Sequence, residues 1–237
     1  MAFYDLNKED RARMVDRITI VIDKGISGQD TAALLPFFAD DDTYIRKTAY
    51  LAIGKIYALN SGRLPDILNV LNRLFVLPDP KVRQTAVNAA GEIGKADFDA
   101  VVSFFDTGLF DAHHSVRNAV IGSMKKMGER NPAPVLAWSR TYLQHTDKEI
   151  RREICHGIEL RGRTHPQDIL PLLRELQFDT TKRVRWTLVH VIGQIAYKKG
   201  CLHTVVSSIL DWENQTLVSD ALEEIIDVHY RYRNFSY

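Results

Sequence analysis

The sequence has only two cysteines, Cys155 and Cys201, and no Cys-x-x-Cys pair. That excludes a disulfide framework and a cysteine-based zinc module, and it suits a reducing compartment. No apolar run approaches the roughly 20 residues that span a bilayer, so no membrane partner is expected. There is no Gly-rich phosphate loop, no His-Glu-x-x-His stretch and no nucleophile elbow. Strand-period alternation is nowhere sustained, which argues against a sheet. No basic start followed by an apolar stretch opens the chain, so it reads as having no signal peptide, and the expected location is the cytoplasm. Net charge is only +1, which removes bulk charge as a reason to bind polyanions.

What is present is a repeat. A polar turn, a β-branched residue, an arginine and an apolar helix recur five times. The arginines are Arg46, Arg83, Arg117, Arg151 and Arg185, separated by 37, 34, 34 and 34 residues. A fixed period in this range marks a stack of helix pairs. The residue before each arginine is Ile45, Val82, Val116, Ile150 or Val184. Seven after it stand Ile53, Ala90, Met124, Ile158 and Ile192. Ten after it come Ile56, Ile93, Met127, Arg161 and Ile195. These offsets trace one apolar helical face, broken only at Arg161. Four residues before the arginine stand Asp42, Asp79, His113, Asp147 and Thr181, where a side chain can cap a helix start.

The pattern Asp-x-x-(Ile/Val)-Arg before a small, apolar helix resembles the second helix of a HEAT repeat, over about residues 30 to 211. The expected fold is all-α, a right-handed α-α superhelix of about six helix pairs plus an N-terminal capping helix. One domain, 1–237, is expected, with the cap at 8–24, begun by Asn7 and ended by Gly25. The repeats fall at about 31–58, 64–94, 98–129, 134–160, 166–197 and 202–230. The last departs from the pattern, with Ser219 in the arginine's place, as terminal repeats do. The aromatic tail from Tyr230 to Tyr237 is read as folding back on the last helix. The resemblance also implies that each repeated arginine lies in an interior ladder, bonded to aspartates or carbonyls.

Charge is uneven. Residues 1–116 carry a balance of −3, residues 117–199 of +8 and residues 200–237 of −4. In a solenoid the second helices line the concave face, and offsets +1, +5 and +9 from the arginine stack there. In the fourth and fifth repeats these positions are Arg152, His156 and Leu160, then Trp186, His190 and Gln194. Arg161 and Arg163, with Gly162 between them, read as an inter-helix loop, and Lys198 and Lys199 follow the fifth helix. Basic residues beside an aromatic suit a macromolecular partner; a protein is the leading expectation and nucleic acid the alternative. With Glu159, these residues are the candidate binding surface. His156 and His190 hold equivalent positions and would need a third ligand such as Glu159 to take a metal. The expectation is no metal and no cofactor. His113 and His114 are adjacent in a turn and read as diverging and solvated.

A second resemblance is to the HEAT-like DNA alkylation-repair glycosylases. Their Trp-x-x-x-Asp stretch implies an aromatic wall and a catalytic carboxylate. Here Trp186 matches the tryptophan, but the fourth residue on is His190. The resemblance implies nucleic-acid binding, and the missing carboxylate removes the expected base excision. No catalytic residue is therefore assigned, and the chain is read as a non-catalytic interaction scaffold.

Overall fold

The computed structural model describes residues 3–233, residue 233 by its backbone alone. Residues 234–237, with most of the expected returning tail, lie outside it; Tyr230 to Arg233 do not turn back but continue the last helix, and the Tyr232 ring lies 4.9 Å from that of Tyr197. Among the described residues there is no strand. The α-helices are α1 Lys8–Ser27, α2 Thr31–Phe38, α3 Thr43–Leu59, α4 Leu64–Phe75, α5 Pro80–Gly94, α6 Val102–Gly108 and α7 His114–Arg130. They continue as α8 Pro132–Tyr142, α9 Lys148–Gly157, α10 Glu159–Gly162, α11 Pro166–Arg174, α12 Lys182–Ala196, α13 Leu202–Leu210 and α14 Gln215–Arg233. The chain divides into two compact units, residues 1–123 and 124–237, with the division inside α7.

The apolar face predicted by the period is the core. Ala49, Ala86, Val120, Ile154 and Leu188, three residues past each arginine, are fully buried. So are Ile53, Ala90 and Ile192. In the first unit α3 packs on α5, and in the second α12 lies against α9 and α14. The capping reading holds in three repeats: Asp42, Asp79 and Asp147 each accept the backbone N–H two residues on, at 2.8 Å. In the third repeat His113 takes this role through Nδ1, which accepts from Ser115 N at 3.2 Å. Its ring does not diverge from His114; the two stack with centroids 4.7 Å apart. Thr181 makes no side-chain cap.

Asn7 caps α1 as expected, accepting from Asp10 N at 2.9 Å. Gly25 does not end α1, which runs on to Ser27. A Cβ at Gly25 would overlap Leu34 Cδ1, so this glycine serves the close approach of α2. The left-handed residue of the turn is Gln29, with φ 53°.

The fourth repeat differs most from its sequence reading. One continuous second helix is expected over 149–160, but α9 ends at Gly157 and α10 starts at Glu159. Arg161 and Gly162 belong to α10 and not to a loop. Gly162 is buried, and a Cβ there would overlap Ile169 Cδ1. The sequence hint of this break is Arg161 itself, the one polar residue in the apolar +10 series.

Candidate functional site

The arginine ladder must be separated from any site. Arg83 donates through Nε and Nη2 to Asp111 at 2.7 and 3.0 Å, and through Nη1 to the carbonyls of Leu77 and Pro78. Arg151 repeats this on Asp179 at 2.6 and 3.2 Å, with the carbonyls of His145 and Thr146. Arg117 reaches the Asp111 and Ala112 carbonyls, and Arg46 those of Asp40 and Asp41. Arg185 donates to Asp220 at 2.7 Å. These guanidiniums are committed to the scaffold.

The second unit holds the cluster of chemically capable side chains. Its centre is Glu159, only 2% exposed, at the first position of α10. His156, one turn earlier on α9, donates from Nδ1 to Glu159 Oε2 at 3.1 Å. Arg163 donates from Nε to Glu159 Oε1 at 2.9 Å, and its Nη2 also reaches that oxygen. Lys125, from α7, lies 3.9 Å from Glu159 Oε2 and 2.9 Å from His156 Nε2. His156 and Glu159 stand three residues apart, on either side of the break at Ile158. A lysine donating to Nε2 and a carboxylate accepting from Nδ1 fix one tautomer: the imidazole proton sits on Nδ1.

Burial pushes the Glu159 carboxyl up. Hydrogen bonds from His156 and Arg163, with the charges of Arg163 and Lys125, outweigh that and hold it at about 2. Burial also lowers Lys125; Glu159 opposes this and Arg163 adds to it. The Cys155 thiol, fully buried on α9, is pushed far up by its burial.

The other predicted residues do not join this cluster. Arg152 is held by Glu149 at 2.9 Å and reaches Glu153 at 3.4 Å. Arg161 donates to Asp168 of α11 at 2.8 Å. Trp186 is 70% exposed and stacks on His190, centroids 5.7 Å apart and planes 8° from parallel. His190 Nδ1 lies 3.5 Å from Glu224 Oε1 on α14. Gln194 is buried, so the expected surface stripe does not extend to offset +9. Lys198 lies over the Tyr197 ring at 5.5 Å, and Lys199 is exposed. His156 and His190 thus face different carboxylates. Among the described residues no group of three or more His, Cys, Asp or Glu is placed to hold a metal ion.

Three contributors are absent from the sequence reading: Lys125, Glu224 and Asp168. Lys125 stands eight residues past Arg117, one position off the +1, +5, +9 series. Glu224 lies in the last repeat, where Ser219 replaces the arginine that sets the register. Asp168 lies in the first turn of α11, outside the second-helix pattern.

No protein-family model matches the chain, and no curated protein matches it. Among solved structures it is similar to AlkD2 from Streptococcus mutans, with a TM-score of 0.59 and 17% identity, over 82% of this chain and 96% of that one. The archaeal HEAT-like repeats protein from Thermococcus onnurineus NA1 is 12% identical over 92% of this chain and 97% of its own, with a TM-score of 0.43. Such identities speak for architecture and not for a shared ligand. The repeat, the arginine ladder and the likeness to AlkD2 agree on one conclusion: the chain has the all-α solenoid fold of HEAT-like helical-repeat proteins.

Proposed function

We propose that this protein is a non-catalytic scaffold that binds a protein partner on the concave second-helix face of its repeats, with Trp186 as the anchor. The observation that carries this is Trp186 itself. It is 70% exposed, while Trp138 and Trp212 are 8% and 2% exposed. A tryptophan held flat against a histidine, beside the acidic Glu224, is preorganised and presents a large contact area. Such residues dominate the energetics of protein interfaces. Arg152, Arg163, Lys198, Lys199 and His156 then form the surrounding surface, and the buried Glu159 supports it by holding His156 and Arg163. Arg152, Arg161 and Arg163 are each paired with a carboxylate of the chain, which leaves fewer of their donors for phosphates. The unpaired, buried state of Cys155 and Cys201 fits a reducing compartment, and the reading places the protein in the cytoplasm. No described helix is long and apolar enough to cross a membrane.

The test is a photoreactive phenylalanine at position 186, with a control at position 140 on α8. A defined protein adduct at 186 and none at 140 is the expected result. Absence of any adduct at 186 would overturn it. In parallel, Trp186 emission is titrated with a single-stranded oligonucleotide. Quenching that fades steeply with added salt would replace the protein partner with nucleic acid.

A further inference from the structure

The Lys125–His156–Glu159 chain does something a scaffold does not require. Three titratable side chains are lined up donor to acceptor. Lys125 Nζ is 2.9 Å from His156 Nε2, and His156 Nδ1 is 3.1 Å from the buried Glu159. This is the order of an activated nucleophile: a reactive group, a base within hydrogen-bond reach, and a carboxylate that orients the base. Exposure separates the two ends of the chain. Glu159 is sealed in, whereas the side chains of Lys125 and His156 are 26% and 41% exposed. Arg163 stands on the far oxygen of Glu159, so a second cation sits near the amine. A desolvated lysine beside another cation is the setting in which an amine loses its proton near neutral pH, and burial and Arg163 both lower Lys125 here.

We infer that Lys125 is a nucleophilic amine that condenses reversibly with an aldehyde bearing an anionic group. The Lys125 ammonium gives a proton to His156 Nε2. Glu159, a positioning residue, stabilises the imidazolium through Nδ1–H. The free amine lone pair attacks the carbonyl carbon, and the nitrogen gives up a proton to the former carbonyl oxygen, leaving a neutral carbinolamine. That hydroxyl leaves as water, carrying a proton back from His156, and a protonated imine remains on Lys125. No oxidant, reductant or metal is consumed. After the first proton transfer, His156 and Arg163 carry two positive charges against one negative charge on Glu159, which favours an anionic substrate such as a phosphorylated aldehyde. This goes beyond a scaffold role, because it adds reversible covalent capture of a small carbonyl compound.

The experiment incubates the intact protein at pH 7 with glyceraldehyde 3-phosphate and cyanoborohydride, which reduces any imine to a stable secondary amine. Adducts are located by peptide mass mapping. Lys125 should be labelled at least about tenfold faster than exposed Lys199, and faster with the phosphorylated aldehyde than with glyceraldehyde. Labelling at Lys125 should rise at a lower pH than that of an ordinary lysine amine, because burial and Arg163 hold it below 10.5. His156→Gln should bring Lys125 down to the Lys199 rate, with helical content and melting temperature recorded alongside. Wild-type labelling no faster at Lys125 than at Lys199 overturns the nucleophile. Equal rates with both aldehydes overturn the anionic preference. An unchanged Lys125 rate in a folded His156→Gln protein overturns the role of the histidine.

Discussion

Arg151 and Asp179 meet through two parallel hydrogen bonds of 2.6 and 3.2 Å, 28 residues apart in the chain, and Arg83 and Asp111 repeat the arrangement at the same separation. In each pair the aspartate has a second duty. Asp111 accepts the backbone N–H of His113, and Asp179 that of Thr181, both at 2.8 Å. One carboxylate therefore closes a turn and receives the preceding repeat. Arg151→Ala would leave Asp179 buried and short of donors, and should cost about 2–3 kcal/mol. Arg117→Ala, which frees two carbonyls and no carboxylate, should cost about 1 kcal/mol. Urea unfolding of the two variants checks the order, and equal losses would refute the ladder's two grades.

Acid should weaken the protein through Glu159. Its folded value, about 2, lies below its ordinary value of 4.5. The stabilisation is thus fully present above about pH 4.5 and is lost as pH falls toward 2. Lys125 slopes the same way: its folded value lies below 10.5, so its charged form opposes folding at lower pH, and that cost is relieved as pH rises toward 10.5. Urea midpoints at pH 6, 4 and 2.5 should fall more steeply for wild type than for Glu159→Gln.

Two glycines should respond in opposite directions. Gly162→Ala drives a methyl into Ile169 and to 3.0 Å from Ile195 Cγ2, and should cost about 1–3 kcal/mol. Gly122 lies inside α7, and no neighbouring atom lies within 4 Å of where its methyl would stand, so Gly122→Ala should stabilise by about 0.5–1 kcal/mol. Thermal melts of the two single variants suffice to test this.

Base excision is not expected. Position 190 carries a histidine, which is never anionic, where the glycosylase-like stretch would need a carboxylate. A single-turnover assay on alkylated DNA should release no methylated purine above background. Glu224, 3.5 Å from His190, is the carboxylate to examine if release occurs, and Glu224→Gln should then abolish it. His190→Asp would set a second carboxylate against Glu224, and that repulsion would raise the pKa of one of them.

The fold was legible because the arginine repeats at a near-constant period and carries a buried residue on either side of it. Val82 and Ala86 around Arg83, and Val184 and Leu188 around Arg185, show how few positions suffice. Trp186 and His190 were legible as neighbours, since residues four apart on a helix share a face. The Glu159 centre was only half legible. His156 and Glu159 are three apart, but Lys125 comes from another repeat. A helix break without proline or a strong cap leaves little trace in a sequence; here the trace is the out-of-place Arg161. The charge balance is legible only as a sum, which cannot tell that Arg161 and Asp168 pair across two helices.

The carbonyl pair grasped by Arg46, Arg83, Arg117 and Arg151 bears on how the chain tolerates length change. In four repeats the guanidinium reaches the fifth and sixth residues before it, so the segment between the helices of a pair is measured by one side chain. An added residue there would move the carbonyls out of reach. Connections from one repeat to the next have no such gauge. The three extra residues of the 37-residue first period match the one-turn 3-10 helix Ser61–Arg63, inserted between α3 and α4 on that ungauged side. Grafted tags, loops or whole domains therefore belong after a second helix, and the arginine turns are the places where the chain has no slack.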